Sequence, residues 1–232
     1  MIDFDEINTE KIRFERKFVT NQTCLLEVEE IIKINPSMFS EIFYKRRVNN
    51  IYLDSYDMSN YSRNVEGYSK RLKIRIRWYG KIFGKVERPI LELKTKSGEL
   101  GKKLSFPLKS FVLNDFFSKE RLQEEIFEKS NLPRGILELL KLSQLSILNT
   151  YERKYFLSSN KKYRVTIDNN LQFFDIKSSN NIFKNKILDK EKIIVEIKYD
   201  KEDDKEVSRI TQHIPCRLTK VSKYILGVDC FI

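Results

Sequence analysis

The stretch Arg71-Leu72-Lys73-Ile74-Arg75-Ile76-Arg77-Trp78 decides the predicted fold, because charged and apolar side chains alternate along it without a break. The side chains of a β-strand point to opposite faces with a period of two, so one face carries four cations and the other is apolar. Cations that neighbour one another on one face repel. The stretch therefore predicts a sheet whose basic face is either screened by water or covered by a polyanion.

Other segments repeat this alternation and set Arg, Lys or Glu on one face and apolar residues on the other. They are residues 12–18, 88–96, 151–155, 163–168 and 193–199. If these strands close into a barrel, their charged faces meet in one basic lumen. A sheet with a solvated charged face is the plain alternative. A nucleic-acid surface would place aromatic side chains among the cations, whereas Trp78 and most Phe residues fall on the apolar faces.

Composition narrows the class of protein. The 232 residues include 44 Lys and Arg against 33 Asp and Glu, and the net charge of +11 favours an anionic partner. Neither a GxxxxGK[ST] nor a GxGxxG nucleotide motif occurs, and the single histidine, His213, excludes most His-based catalysis. Three cysteines without a CxxC spacing make a disulfide framework or a zinc site unexpected. With no signal peptide and no long apolar run, we expect a cytoplasmic protein that does not span a membrane.

Local patterns predict about eight or nine strands at hairpin-like spacing, interrupted by helices. We therefore expect an α+β fold, an antiparallel barrel with helices packed outside, as one domain over residues 1–232. A helical insertion is predicted at about 113–142, where Leu and Ile recur at helical spacing and Pro133 starts a second helix. Thr20 or Asn21 is expected to cap a helix that ends near Ile34. Residues 178–192 are predicted to form a loop, and residues 202–213 a helix.

A few glutamates share the basic faces, namely Glu15, Glu92 and Glu196. A carboxylate does not bind phosphate directly. It can hold Mg²⁺ or Mn²⁺, hard cations that prefer oxygen ligands and bridge to phosphates, or it can orient neighbouring Arg and Lys by ion pairing. The pattern of cations with a few carboxylates favours a phosphate-rich ligand.

Eight short motifs in this order resemble the VTC domain, the polyphosphate-polymerase branch of the CYTH-like triphosphate tunnel metalloenzymes. They are RFERKF at 13–18, IYLDS at 51–55, Gly67 followed by RLKIRIR at 71–77, LELK at 91–94, YERKY at 151–155, YRVTID at 163–168, VEIKY at 195–199 and SKY at 222–224. The resemblance extends from about residue 13 to residue 227.

The resemblance implies an eight-stranded antiparallel tunnel barrel that transfers the γ-phosphate of ATP to a growing inorganic polyphosphate chain, with Mn²⁺ or Mg²⁺. Carried over by motif, the catalytic cations would be Lys73, Arg75, Arg77, Arg153, Arg164 and Lys198. The phosphate-binding residues would be Arg13, Lys17, Lys94, Lys223, Ser222 and Tyr52. Glu196 would be the main metal ligand, with Glu15 and Glu92 as further candidates for binding metal or orienting the bases.

One departure from the resemblance concerns the reaction. The hydrolytic relatives open with Glu-x-Glu-x-Lys, whereas Arg13 occupies the first Glu position here. This favours polyphosphate synthesis or binding over hydrolysis. A non-catalytic module that binds polyphosphate or nucleotide and an inorganic triphosphatase are the alternatives. The expected partners are ATP and inorganic polyphosphate and not nucleic acid; a membrane-protein partner and the oligomeric state are left open.

Overall fold

A computed structural model describes residues 13–21, 23–97, 100–176, 183 and 185–232. The strands in chain order are β1 (Arg13–Thr20), β2 (Ser40–Ser55), β3 (Lys70–Tyr79), β4 (Gly84–Val86), β5 (Ile90–Ser97), β6 (Leu100–Pro107), β7 (Phe111–Leu113), β8 (Ser143–Leu157), β9 (Arg164–Asp175), β10 (Lys186–Asp189), β11 (Ile193–Asp200) and β12 (Arg217–Leu218). The helices are α1 (Leu25–Lys33), α2 (Ser59–Val65), α3 (Lys119–Arg121), α4 (Arg134–Lys141), α5 (Val207–Thr211) and α6 (Lys223–Asp229). A π-helical segment, Leu122–Phe127, follows α3, and a 3₁₀ turn, Lys201–Asp203, precedes α5.

Ten of the strands form one antiparallel sheet in the order β12-β1-β11-β9-β8-β2-β3-β5-β6, with β10 added on β9. The sheet curls strongly, so that strands near its opposite ends approach each other. Nζ of Lys94 on β5 comes within 3.4 Å of the Glu15 carboxylate on β1. In the described residues the two ends of the hydrogen-bonded ladder, β12 and β6, do not pair. The antiparallel sheet with helices is as predicted, but closure into an eight-stranded barrel is not confirmed.

Two apolar cores cover the convex face of the sheet. Ile74, Ile76 and Leu91, from the apolar face of β3 and its neighbour β5, pack against the π-helical segment and α4. A second core joins Val165 and Ile197 to α1 and α5. The alternation of charged and apolar residues along 71–78 thus places the apolar side chains of β3 under a helical layer and leaves its cations on the concave face.

Helix α6 is an exception to the prediction that the helices pack outside the sheet. Its Tyr224 and Val228 pack on Tyr52 and Ile147, which lie on the concave face. At Gly227 an added Cβ would come within 2.7 Å of the Phe173 ring. The glycine therefore lets α6 approach the inside of the sheet closely.

Several predicted boundaries are wrong for identifiable reasons. Helix α1 starts after Cys24, whose N–H donates to Glu27 at 3.1 Å, because Thr20 still belongs to β1. The charged segment 163–168 does not end the strand, because β9 continues to Asp175 through a bulge with Asn170 at φ 50°. Residues 186–189 of the predicted loop form β10. Residues 202–213 divide into the 3₁₀ turn and α5. No described helix has both the length and the apolar content needed to cross a bilayer.

Candidate polyanion-binding site

The register of the sheet assembles the charged residues on its concave face. Residues that lie directly opposite each other on paired strands point to the same face. Arg75 lies opposite both Tyr52 and Glu92, and Lys17 lies opposite Glu196. By the same rule, the side chains of β8, β9 and β11 that lie opposite these residues also point to the concave face. We call this concave surface the lumen.

The first cluster in the lumen surrounds Glu92. Its carboxylate lies 2.6 Å from Nε of Arg75, 2.6 Å from Nζ of Lys103 and 3.7 Å from Nη1 of Arg77. Burial raises the pKa of this carboxyl, but Arg75, Arg77 and Lys103 outweigh burial and lower the pKa of Glu92 to about 2. The carboxylate is therefore ionised and holds two arginines of β3 in fixed positions.

Hydrogen bonds complete the orientation of the two arginines. Nη1 of Arg75 lies 3.4 Å from the Tyr52 hydroxyl, and Nε of Arg77 donates to Oδ1 of Asn50 at 3.0 Å. Both guanidinium groups are therefore oriented before any ligand binds. A planar guanidinium held in this way suits two-point contact with phosphate oxygens.

The second cluster alternates lysines and glutamates on β1 and β11. Nζ of Lys17 lies 2.6 Å from the Glu15 carboxylate and 3.7 Å from that of Glu196, and Nζ of Lys198 lies 2.5 Å from Glu196. Burial opposes ionisation of Glu196, yet Lys198 and Lys17 lower its pKa well below the ordinary value. Burial likewise lowers the pKa of Lys17, but Glu196 and Glu15 reverse this effect and raise it. Glu196 and Lys17 are therefore both charged at neutral pH.

The third cluster is centred on Asp168, which is fully buried. Arg153 donates to both of its oxygens, at 2.5 and 2.7 Å, and Nζ of Lys223 lies 2.5 Å away. Lys223 comes from the first turn of α6, where the Ser222 side chain accepts a hydrogen bond from the Ile225 N–H. Helix α6 therefore delivers a cation into the lumen from a distant part of the sequence.

Lys73 differs from the cations of the three clusters because, in the described ranges, it forms no ion pair with a carboxylate. Its Nζ donates to Oγ of Ser222 at 3.0 Å. Burial, reinforced by the nearby charges of Lys17, Lys94, Arg71 and Arg75, lowers the pKa of Lys73 to about 7. A ligand with negative charge would reverse this effect and favour protonation of Lys73.

A cavity of about 1570 Å³ opens between α6, β1, β3 and β5. The cations that line it include Lys17, Arg71, Lys73, Lys94 and Lys220. The cavity is large enough for several phosphate groups, and its walls carry the positive charge that the sequence predicted.

The structure brings most of the predicted site residues together in the lumen, although it does not test their roles. Arg164 lies on the same face opposite Lys198, but it is exposed at the end of β9. Arg13 begins β1, and its side chain lies outside the described part of the structure. The residues in close contact in the three clusters or with Lys73 are Glu15, Lys17, Tyr52, Lys73, Arg75, Arg77, Glu92, Lys94, Arg153, Glu196, Lys198, Ser222 and Lys223.

Sequence reasoning omitted three residues that shape the lumen: Asp168, Lys103 and Asn50. Asp168 has the same strand parity as Arg164 and Thr166, and Lys103 lies opposite Lys94, so parity pointed to both. The role of each of the three residues depends on which charged side chain it contacts, and only the pairing of distant strands determines those contacts.

The carboxylates of the lumen could bind a divalent cation only if a bound phosphate ligand supplies further oxygen atoms to the metal. In the described residues no cluster of three or more Asp, Glu, His or Cys side chains could hold a metal ion. Glu15 and Glu196 lie on adjacent strands about one shared lysine, Lys17. The buried Oγ1 of Thr166, opposite Glu196 in register, has no hydrogen-bond partner in the described part of the chain. Two carboxylates completed by phosphate oxygens and water match the usual coordination of Mg²⁺.

Solved structures with the same fold are distant in sequence. A candidate adenylyl cyclase from Hippeastrum with a dominant triphosphatase activity is 11% identical, with a TM-score of 0.53, covering 95% of this chain and 96% of its own. A candidate adenylate cyclase from Bacillus halodurans is 11% identical, with a TM-score of 0.53 and coverage of 91% and 94%. One from Vibrio parahaemolyticus is 10% identical, with a TM-score of 0.52 and coverage of 94% and 99%.

These likenesses concern the fold alone. No curated protein matches the chain. The family model described as the VTC domain matches residues 12–232, which is nearly the whole chain and includes every strand that lines the lumen. The chain belongs to the VTC domain family.

Proposed function

We propose that this chain is a polyphosphate polymerase that uses ATP. The observation that carries the proposal is the lumen itself, where oriented arginines and lysines from most strands of a VTC domain converge on one concave face. A linear polyanion is the ligand whose shape and charge density suit such a surface. The fold of the structural neighbours, one of which is named for triphosphatase activity, agrees with phosphoryl chemistry on this scaffold.

The proposed reaction requires little covalent help from the protein. An oxygen of the terminal phosphate of the polyphosphate chain attacks the γ-phosphorus of ATP. The bond from the γ-phosphorus to the β–γ bridging oxygen breaks, ADP leaves, and the chain is longer by one phosphate. The terminal phosphate is already ionised at neutral pH, so no general base is required. Catalysis then consists of positioning and of stabilising negative charge.

Each of the three clusters would have a different role in this reaction. Arg75 and Arg77, held by Glu92, would bind the oxygens of the transferring phosphate. Arg153 and Lys223 would bind the neighbouring phosphates, which replace Asp168 as partners. Glu196 and Glu15 would hold Mg²⁺ or Mn²⁺ together with phosphate oxygens, and the bound ion would neutralise charge on the triphosphate.

A binding module without catalysis is the second candidate. It is favoured by one observation, namely that Glu15, Glu92 and Glu196 are all engaged by lysine or arginine. In such a module the carboxylates would only orient cations. Removing the negative charge of Glu196 would then leave the retained function, binding, largely intact.

The test is incubation of the protein with ATP and Mn²⁺ or Mg²⁺, with and without a short polyphosphate primer, while following ADP release and chain length on gels. We expect long chains with stoichiometric ADP, and a loss of about 10²-fold or more in Glu196→Gln and in Arg75→Ala. Glu152→Gln is the matched control, because Glu152 pairs with Lys45 and Arg47 on the convex face.

Each other outcome identifies a rival. Release of orthophosphate from tripolyphosphate or ATP without chain growth would indicate a triphosphatase. Tight, salt-sensitive binding of polyphosphate with no turnover, and with Glu196→Gln unaffected, would indicate the binding module.

A further inference from the structure

A cluster of aromatic rings surrounds one arginine at the edge of the lumen. The guanidinium carbon of Arg46 lies 4.5 Å from the ring centre of Phe43, 5.7 Å from that of Tyr155 and 5.9 Å from that of Tyr79. Phe43 and Tyr155 also meet edge to face, with ring centres 5.6 Å apart. We call these four residues the Arg46 platform.

The platform is continuous with the lumen. Arg46 lies directly opposite Arg153 in the register of β2 and β8, so both side chains belong to the concave face. The Tyr155 ring lies between them, 5.9 Å from the guanidinium carbon of Arg153 and 5.7 Å from that of Arg46. Burial, together with Tyr79, raises the pKa of Tyr155 to about 12, so this ring stays neutral beside a phosphate. The platform therefore adjoins the phosphate-binding cations without sharing their chemistry.

Arg46 is not used as the lumen cations are used. In the part of the chain that the structure describes, it makes ring contacts but no ion pair and no side-chain hydrogen bond to oxygen. Its side chain is exposed, and Phe43 and Tyr79 are 47% and 48% exposed. The arrangement leaves a planar cation and two aromatic rings accessible to solvent at the edge of the lumen.

Such a surface matches a nucleobase better than a phosphate. A phosphate favours arginines whose N–H groups point at it, as in Arg75 and Arg77, whereas a base favours flat faces on which to stack. Arginine stacks on π-systems through its planar guanidinium, and the packed rings already restrict its conformations. Lysine cannot replace it in this role, because an ammonium group offers no plane.

We propose that the Arg46 platform stacks the base of a nucleoside triphosphate whose phosphates lie on Arg153 and the adjoining lumen cations. This inference rests on the proposed function, because it requires that the lumen accepts a nucleotide. It adds the place of the base and, with it, the end of the lumen from which the nucleotide enters.

The test is calorimetric titration of two ligands, the β,γ-imido analogue of ATP and tripolyphosphate, against the wild-type chain and two variants. Arg46→Lys keeps the charge and removes the plane, and Arg46→Ala removes both. We expect the Kd of the ATP analogue to rise about 10-fold in both variants, the effect of losing one stacking partner. The Kd of tripolyphosphate in Arg46→Lys should stay within about 2-fold of the wild-type value.

Lys45→Ala is the matched control, since it removes a neighbouring cation that pairs with Glu152 on the convex face. Wild-type affinity for the ATP analogue in Arg46→Lys would overturn the inference, because charge alone would then suffice. Equal losses for both ligands would also overturn it and would make Arg46 a phosphate contact. A wild-type chain that binds neither ligand would refute the proposed function itself, and this inference with it.

Discussion

Asp168→Asn is the change that most directly tests how the lumen is held together. The carboxylate is fully buried and pairs with Arg153 at 2.5 and 2.7 Å and with Lys223 at 2.5 Å. The amide has the same shape but no charge, so two cations lose their counter-charge. Removing one member of a buried ion pair destabilises a protein by about 3–5 kcal/mol. For a chain of this size that corresponds to a fall in Tm of roughly 6–20 °C.

A polyanion should reverse most of this loss. In the wild-type chain, tripolyphosphate at 100 times its Kd adds about 2.7 kcal/mol to the free energy of unfolding. In Asp168→Asn the ligand also supplies the missing charge to Arg153 and Lys223, so the rise in Tm should be larger than in the wild-type chain. Thermal unfolding followed by circular dichroism, with and without tripolyphosphate, measures both quantities.

The acid dependence of stability gives a second measure from the same variant. Burial raises the pKa of Asp168, but Arg153 and Lys223 outweigh burial and lower it. Its stabilising effect is therefore present above the unfolded-state pKa near 3.9 and is lost as the pH falls through the lower folded-state pKa. The Asn variant lacks this component.

Glu152→Gln, on the opposite face of β8, is the control and should cost no more than about 1 kcal/mol. The reasoning fails if Asp168→Asn unfolds within about 1 kcal/mol of the wild-type chain. It also fails if tripolyphosphate raises the Tm of both proteins equally.

Three further predictions follow from single contacts. A bound polyanion should raise the pKa of Lys73 from about 7 toward its ordinary value, so tripolyphosphate binding should take up a proton near neutral pH and weaken above pH 7. Calorimetric titrations in buffers of different ionisation enthalpy measure this proton uptake, and Lys73→Met should lose most of it. Gly227→Ala should lower the free energy of unfolding by about 1–3 kcal/mol in urea titrations, because the new Cβ meets Phe173 at 2.7 Å, whereas Gly101→Ala, whose Cβ would meet its nearest atom at 3.8 Å, should be near neutral. Ser222→Ala should cost about 1 kcal/mol in the same assay through the lost cap of α6, and a wild-type midpoint would contradict that assignment.

The sequence was sufficient to predict which side chains lie on each face of the strands, but it was insufficient to predict whether the sheet closes into a barrel. Alternation along β3 and β11 is local, and the structure confirms which side chains of these strands face the helices and which face the lumen. Whether the ends of a curled sheet pair depends on twist and strand tilt accumulated over many strands, and no single segment encodes them. The pattern therefore could not distinguish a closed barrel from the open ladder between β12 and β6.

For the candidate site as well, the sequence predicted some features and not others. Strand parity predicted the cations of β3 and β8, but the partner of each cation depends on register between strands far apart in the sequence. The bulge at Asn170 shifts that register by one residue, and it still leaves Asp168 opposite Arg153. Helix α6 is harder to predict, because its apolar residues suit packing on either face of the sheet. Its position inside depends on the absence of a side chain at Gly227.

The open ladder has a consequence for how the proposed polymer ligand would reach the lumen. Between β1 and β5 the concave surface is bridged by the side chains of Glu15 and Lys94, and in the described residues no backbone hydrogen bond joins these strands. Separating such a partly exposed ion pair costs far less than breaking a ladder of backbone hydrogen bonds. A molecule that must be threaded through a ring needs a free end, whereas one that is laid into a trough does not. If the lumen binds a polymer as proposed, this seam would give a long chain a sideways route in and out, and a polymer blocked at both ends should still be bound.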